Sequence, residues 1–303
     1  MSPDRPRIRD IGVEIGDLSS GRYNAITDVD SIRVGHSTII EGHGKLEVGA
    51  GPVRTGVTAI LPHIGDLIKQ PVEAAYFVFN GAGTTTGLSL IDEFGLIETP
   101  IMLTNTLSVG RVYDAVVKYT IGRSFQNEEV RWFNPVVGET SDAYLNDIGG
   151  LHVKEQHVFN ALNSAEGGRV EEGNVGAGTG TRALGFKAGI GTSSRIIAVN
   201  GEDFTIGVLV QSNFGTGSLF IKGVPVGIEL ENRRMDEDGS IMVIIATDMP
   251  LSHRQLKRTV KRATLGLTKT GWAASHGSGD YFIGSQRPLG QNGVTVKWLP
   301  KKG

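Results

Sequence analysis

The feature that most limits what this chain can become is a set of short, uninterrupted apolar runs. Residues 57–61, 75–79, 101–104, 196–199, 205–210 and 241–247 are each rich in Val, Ile, Phe and Thr and lie between glycine and asparagine punctuation. Runs of this length and make-up read as β-strands. They are apolar throughout instead of alternating, so the strands are expected to be covered on both faces. Helical periodicity occupies other stretches. Residues 109–121 place Val109, Tyr113, Val116 and Val117 on one stripe, and residues 154–164 carry Val158, Ala161 and Leu162. The clearest helix begins at Ser252, a side chain suited to an N-cap, and runs through Gln255, Leu256, Val260 and Ala263 to about residue 267. Long strand-rich stretches have no helix between them. Two sheets held between helical layers fit that order better than a regularly alternating doubly wound sheet.

Composition narrows the function classes. A formal net charge of -2 gives no bulk field for nucleic acid or an anionic membrane surface. Arg254, Lys257, Arg258, Lys261 and Arg262 form a basic strip on the last helix, read here as a solvated face. With no cysteine there is no disulfide, thiolate metal site or thiol nucleophile, and the scattered histidines lack metal-ligand spacing. The polar N-terminus has no signal-like apolar segment, and no apolar run nears the ~20 residues that span a bilayer. No membrane contact and a cytoplasmic location are the expectations. Forty-three of the 303 residues are glycine, about twice the usual share, without a fixed period. Tight turns and close backbone approaches account for them. Residues 80–87 resemble a loose phosphate loop but lack its Gly-Lys-Ser/Thr ending, and 176–181 lack dinucleotide spacing.

One junction carries chemistry. Residues 229–239 form a charged segment ending in Asp238-Gly239, directly before Ser240 and the apolar run 241–247. A serine hydroxyl can attack the carbonyl just before it when the peptide is distorted, and a preceding glycine tolerates that distortion best. Cleavage between Gly239 and Ser240 would free an α-amine of pKa about 7.7–8.0, a general base on the nucleophile's own residue. The dipeptide alone says little, since most Gly-Ser pairs are turns.

Ordered blocks along the chain change that reading. They include Tyr23-Asn24-Ala25-Ile26-Thr27-Asp28, Val53-Arg54-Thr55-Gly56-Val57-Thr58, Thr104-Asn105-Thr106 and Val136-Val137-Gly138-Glu139-Thr140. Further blocks are Glu172-Gly173-Asn174-Val175-Gly176-Ala177, Val208-Leu209-Val210-Gln211-Ser212-Asn213 and Gly239-Ser240-Ile241. From about residue 6 to about residue 285 the chain resembles the DmpA aminopeptidases and their β-peptidyl aminopeptidase relatives. The resemblance implies an α+β fold, a four-layer αββα sandwich of the N-terminal-nucleophile-hydrolase kind. It implies a single catalytic domain, 1–303, that cleaves itself into 1–239 and 240–303. It also implies release of N-terminal residues from short peptides, amides or esters through an acyl-enzyme, without metal or organic cofactor. A homo-oligomer, a tetramer of cleaved protomers, is expected.

By the same resemblance Ser240 is the nucleophile, Gly239 precedes the cleavage point and Asn213 helps form the oxyanion hole. Glu139 holds the substrate's amine, and Tyr144 lines the pocket or donates a hydrogen bond. Ser278 and Asp280 assist the nucleophile; a glutamate is familiar where Asp280 stands, one methylene longer. His276 is given a loop role. The chain ends soon after Asp280, where relatives carry a longer C-terminal region, and 294–298 is its one strand-like segment there. Two alternatives therefore stay open: an uncleaved, inactive scaffold, and an acyltransferase resembling ornithine acetyltransferase, whose nucleophile is a threonine.

Overall fold

A computed structural model describes residues 6–126, 128–215, 217–230 and 239–286. Most of the charged segment 229–239 and the strand-like segment 294–298 lie outside the described residues. The strands in chain order are β1 (Arg33–Glu41), β2 (Val53–Leu61), β3 (Val72–Gly81), β4 (Leu96–Ile97), β5 (Ile101–Asn105) and β6 (Val136–Thr140). They continue as β7 (Arg182–Ala183), β8 (Phe186–Lys187), β9 (Ile190–Val199), β10 (Glu202–Asn213), β11 (Ser240–Thr247) and β12 (Gly279–Gln286). The helices are α1 (Leu88–Phe94), α2 (Val109–Ser124), α3 (Glu155–Asn163), α4 (Val226–Glu229) and α5 (His253–Thr268).

Two sheets dominate. One runs β1-β2-β5-β6, the other β4-β3-β12-β11-β10-β9. Alternation along β11 assigns its layers. Met242, Ile244 and Ala246 join Ile60, Ile101, Leu103 and Val136 in a core between the sheets. Ile241, Val243 and Ile245 face the other way and pack with Leu256 and Val260 of α5. Val57, Ala59, Met102 and Val137 turn from the inter-sheet core toward Val112 and Val116 of α2 and Val158 and Ala161 of α3. The architecture is thus the expected αββα sandwich, and burial on both faces explains why β11 reads as continuously apolar.

All six apolar runs became strands, and all three periodic stretches became helices. Ser252 does cap α5, its side chain accepting from the Gln255 N–H. Part of the basic strip on α5 is not simply solvated. Lys257 and Lys261 sit 5.6 and 5.3 Å over the rings of Tyr76 and Phe77, an arrangement favoured by the ring quadrupole. The sequence reading missed β1, β6, β12 and α1. β6 and β12 contain Gly, Glu, Thr, Asp and Ser among their apolar residues, which breaks the apolar signal although every residue in both is buried.

β6 of the smaller sheet faces β11 of the larger one at Gly138 and Met242. A Cβ on Gly138 would stand 2.2 Å from the Met242 Cε, so any larger residue there would push that methionine side chain aside. Next to this contact Gln211 of β10 sends its side-chain amide into the opposite sheet. Its Nε2 donates to the Thr104 carbonyl (3.0 Å), Thr140 Oγ1 (2.9 Å) and the Ala177 carbonyl (3.0 Å), all buried. We predict that Gln211→Leu, close in volume but without a donor, costs about 2–3 kcal/mol by stranding those acceptors. A thermal melt should show a clearly lowered midpoint; an unchanged midpoint contradicts the clamp.

Candidate active site

Strand register assembles the site at one end of the larger sheet. Ser240 opens β11 and lies between Asn213, its antiparallel partner on β10, and Gly279, its parallel partner on β12. Its position in the alternation puts it on the same side as Met242, toward the other sheet. Ser240 is buried, and its Oγ accepts a 3.3 Å hydrogen bond from the Gly279 N–H. Gly239, just before it, is held where a Cβ would meet the Asn213 carbonyl oxygen at 2.2 Å and the Phe214 Cα at 2.5 Å. The glycine expected at the cleavage point is therefore required by close backbone approach.

Asn213 Oδ1 accepts from the Arg182 N–H at 3.1 Å. That bond fixes which end of the amide is which and leaves Nδ2 as the end that donates elsewhere. Arg182 also stacks its guanidinium 3.2 Å from the centroid of the Tyr144 ring. Tyr144 itself is 57% exposed. The structure thus ties it to Asn213 through Arg182, not to Ser240 directly.

Glu139 is the fourth residue of β6, the edge strand of the smaller sheet, and is only 2% exposed. It is no solvated acid. Its carboxylate accepts from the Thr84 N–H at 2.8 Å and from Thr106 Oγ1. Burial pushes its carboxyl above the ordinary range, while those two hydrogen bonds pull it partly back. Gly83 lies between this carboxylate and Gly279, with no room for a side chain toward either. The glycine-rich stretch 80–87 thus shapes the site through close packing, in line with the close backbone approaches expected of its glycines.

Ser278 and Asp280 come together, but with each other. Ser278 Oγ donates to Asp280 Oδ1, and Asn80 Nδ2 donates to Asp280 Oδ2 at 3.0 Å. Both groups are buried, and desolvation raises the Asp280 carboxyl despite the two donors. His276 is exposed in the preceding loop, as expected. Two side chains here escaped the sequence reading, Asn80 and Thr106. Each sits in a stretch that was noticed, one as a glycine-rich loop and one as a family block, but only the folded register reveals the carboxylate that each one touches.

Residues 24–287 match the profile described as peptidase family S58. The chain belongs to peptidase family S58. A β-peptidyl aminopeptidase BapA of Sphingosinicella microcystinivorans is 44% identical, over 99% of this chain and 80% of the relative. The solved L-aminopeptidase D-Ala-esterase/amidase of Ochrobactrum anthropi superposes with a TM-score of 0.88 at 41% identity, over 98% of this chain and 83% of that one. A Burkholderia sp. β-aminopeptidase structure gives 0.88 at 43% identity, over 98% and 82%. The Ochrobactrum structure is described as a prototype serine aminopeptidase with a variant of the N-terminal-nucleophile hydrolase fold. This S58 chain shares that fold and is a serine aminopeptidase of the N-terminal-nucleophile type. The scaffold and acetyltransferase alternatives find no support. No helix among the described residues is long and apolar enough to cross a membrane.

The burial of Glu139 has a measurable cost. A carboxyl raised on folding destabilises the folded state at pH values above its folded pKa, and that penalty vanishes below the unfolded value. Glutamine keeps the acceptor for Thr84 and removes the charge. Glu139→Gln is therefore expected to raise the thermal midpoint at pH 7–8. The gain should shrink toward zero as pH falls below the ordinary glutamate range of ~4; a loss of stability at neutral pH contradicts this reading.

Proposed function

We propose that the chain cleaves itself between Gly239 and Ser240 and then works, as chains 1–239 and 240–303 of one catalytic domain, as an aminopeptidase on short peptides, amides or esters. The observation that carries it is the register at the start of β11. It sets a buried serine beside an asparagine amide and a backbone N–H, with an obligatory glycine before it. In self-cleavage Ser240 Oγ attacks the Gly239 carbonyl carbon, the C–N bond breaks, and the nitrogen takes the proton. Water then hydrolyses the ester, which returns the Ser240 hydroxyl and leaves the Gly239 carboxylate.

In turnover the freed α-amine accepts the proton as Ser240 Oγ attacks the substrate carbonyl. Asn213 Nδ2 stabilises the developing oxyanion, with the Gly279 N–H as the second donor at hand. The amine takes its proton to the leaving group, and water releases the acyl part from Ser240. Glu139 binds the substrate's free ammonium by a charge-assisted contact in a dry setting, so a blocked N-terminus is a poor substrate. Ser278 and Asp280 orient the nucleophile's amine, and Tyr144 borders the pocket through Arg182. The scheme calls for no metal or organic cofactor and for no nucleic-acid or membrane partner. Assembly as a homotetramer of cleaved protomers belongs to the same proposal.

Purified protein should give two masses, with the shorter chain beginning Ser-Ile-Met-Val, while Ser240→Ala stays whole. A single uncleaved but active wild-type chain would falsify the scheme. Asn213→Ala is expected to lower kcat by about 10²–10³-fold, the loss of one oxyanion donor. Because Glu139 must be ionised to hold an ammonium and burial raises its carboxyl, substrate affinity should fall with decreasing pH sooner than an ordinary glutamate would dictate. Glu139→Gln should abolish that dependence and raise KM at neutral pH, with the two enzymes converging as the wild-type carboxyl is protonated at low pH.

A further inference from the structure

Asn80 stands at an irregularity in the sheet. Along the β3–β12 pair Gly279 faces Gly81 but Tyr281 faces Val78, so Phe79 and Asn80 together stand opposite the single residue Asp280. A bulge of this kind re-aims a side chain out of the regular alternation. Here both N–H groups of one amide find a partner. Asn80 Nδ2 donates to Asp280 Oδ2 at 3.0 Å and to the Ser275 carbonyl at 2.9 Å. The first bond holds the carboxylate, and the second ties the loop that carries Ser278 to β3.

The consequence is directional. Asp280 Oδ1 accepts a hydrogen bond from the Ser278 hydroxyl and Oδ2 accepts one from the Asn80 amide, so each carboxylate oxygen already has a donor. With its single O–H engaged by Asp280, Ser278 can only accept from anything else. An acceptor beside the start of β11 is what the protonated amine of a cleaved Ser240 requires. We propose that Asn80 is a positioning residue of this enzyme, holding Asp280 ionised and turned so that Ser278 presents an acceptor to the Ser240 amine. The inference rests on the self-cleaved reading given above.

The surroundings put the weight on Asn80. Of the side chains around Asp280, Ser278 and Asn80 are the donors that offset its desolvation. Burial raises the Tyr281 hydroxyl, with Glu139 and Asp280 adding to it, and Tyr281 donates to the Gly83 carbonyl at 2.7 Å. On β11 the register partner of Asp280 is Ile241, the residue after Ser240, which itself pairs with Gly279. On the helical layer the lysines of α5 at hand, Lys257 and Lys261, lie over Tyr76 and Phe77 of β3.

The test compares Asn80→Ala and the isosteric Asn80→Asp with wild type, using the pH profile of kcat/KM on an amino-acid amide and the pH dependence of self-cleavage. Losing the donor raises the Asp280 carboxyl, so the acidic limb should move to higher pH, by about one unit for Asn80→Ala and further for Asn80→Asp, where two carboxylates meet. At neutral pH, kcat/KM should drop by about 10- to 100-fold, the scale of a hydrogen bond to a charged group. In a double-mutant cycle Asn80→Ala should add little to Asp280→Asn. An unshifted limb with a uniform loss at all pH, or full additivity in the cycle, overturns the proposal and leaves Asn80 a brace of the bulge in the β3–β12 pair. If Asn80→Ala does not fold, the limb of Asn80→Asp decides alone. Activity that survives Ser240→Ala would instead overturn the self-cleaved reading, which keeps the two failures apart.

Discussion

The site depends on two sheets being locked together at one point. Gln211 carries its amide across from β10 and shares two N–H groups among three acceptors, two of them backbone carbonyls. One contact falls on Thr140, next to Glu139, and another on Thr104, the register partner of Glu139 on β5. Gln211 is also two residues from Asn213 on its own strand. The strand that carries Asn213 and the strand that carries Glu139 are thus joined by one side chain. Beside it, the missing Cβ of Gly138 lets Met242 close the gap. A residue on a sheet can be placed only as well as its sheet is placed, so this crossing sets the geometry between Ser240 and Glu139.

Burying charge is the second constraint. Glu139 and Asp280 are both desolvated, and each has a donor on both oxygens. That arrangement keeps the carboxylates usable while confining them to one orientation. It destabilises the fold slightly and specifies the site, a balance that recurs where buried charge is kept for chemistry. The donors come from the loops that follow β3 and β5, from a bulge on β3 itself and from the turn before β12. The end of the sandwich where strands stop is therefore where the fold can present polar groups without interrupting a ladder.

Much of this was legible in the sequence, for physical reasons that can be named. Strands such as 241–247 are covered on both faces, so their composition is apolar enough to stand out. The cap at Ser252 and the stripe through Leu256 and Val260 announce α5 in the same way. The family was legible because Gly239-Ser240 sits inside ordered blocks along the chain, not because of the dipeptide, and the proposal of Ser240 as nucleophile rests on those blocks. What stayed hidden were strands whose burial is polar. β6 and β12 carry Glu139 and Asp280 on fully buried backbone, and a carboxylate in a strand reads as exposure until its partners are known. Asn80 and Thr106 stayed hidden for the same reason. Each is recognisable only through a contact with a residue far away in the chain, and no local period encodes that.

The central claim is that Ser240, at the head of its own chain, forms the covalent link to substrate. Its most direct test is the mass of the protein quenched during turnover of a slowly deacylating amino-acid ester. The account predicts an adduct of one acyl group on the fragment that begins at Ser240, lost on longer incubation and removed by hydroxylamine. An adduct on any other residue, or turnover with no adduct while the 239–240 bond remains intact, would contradict it.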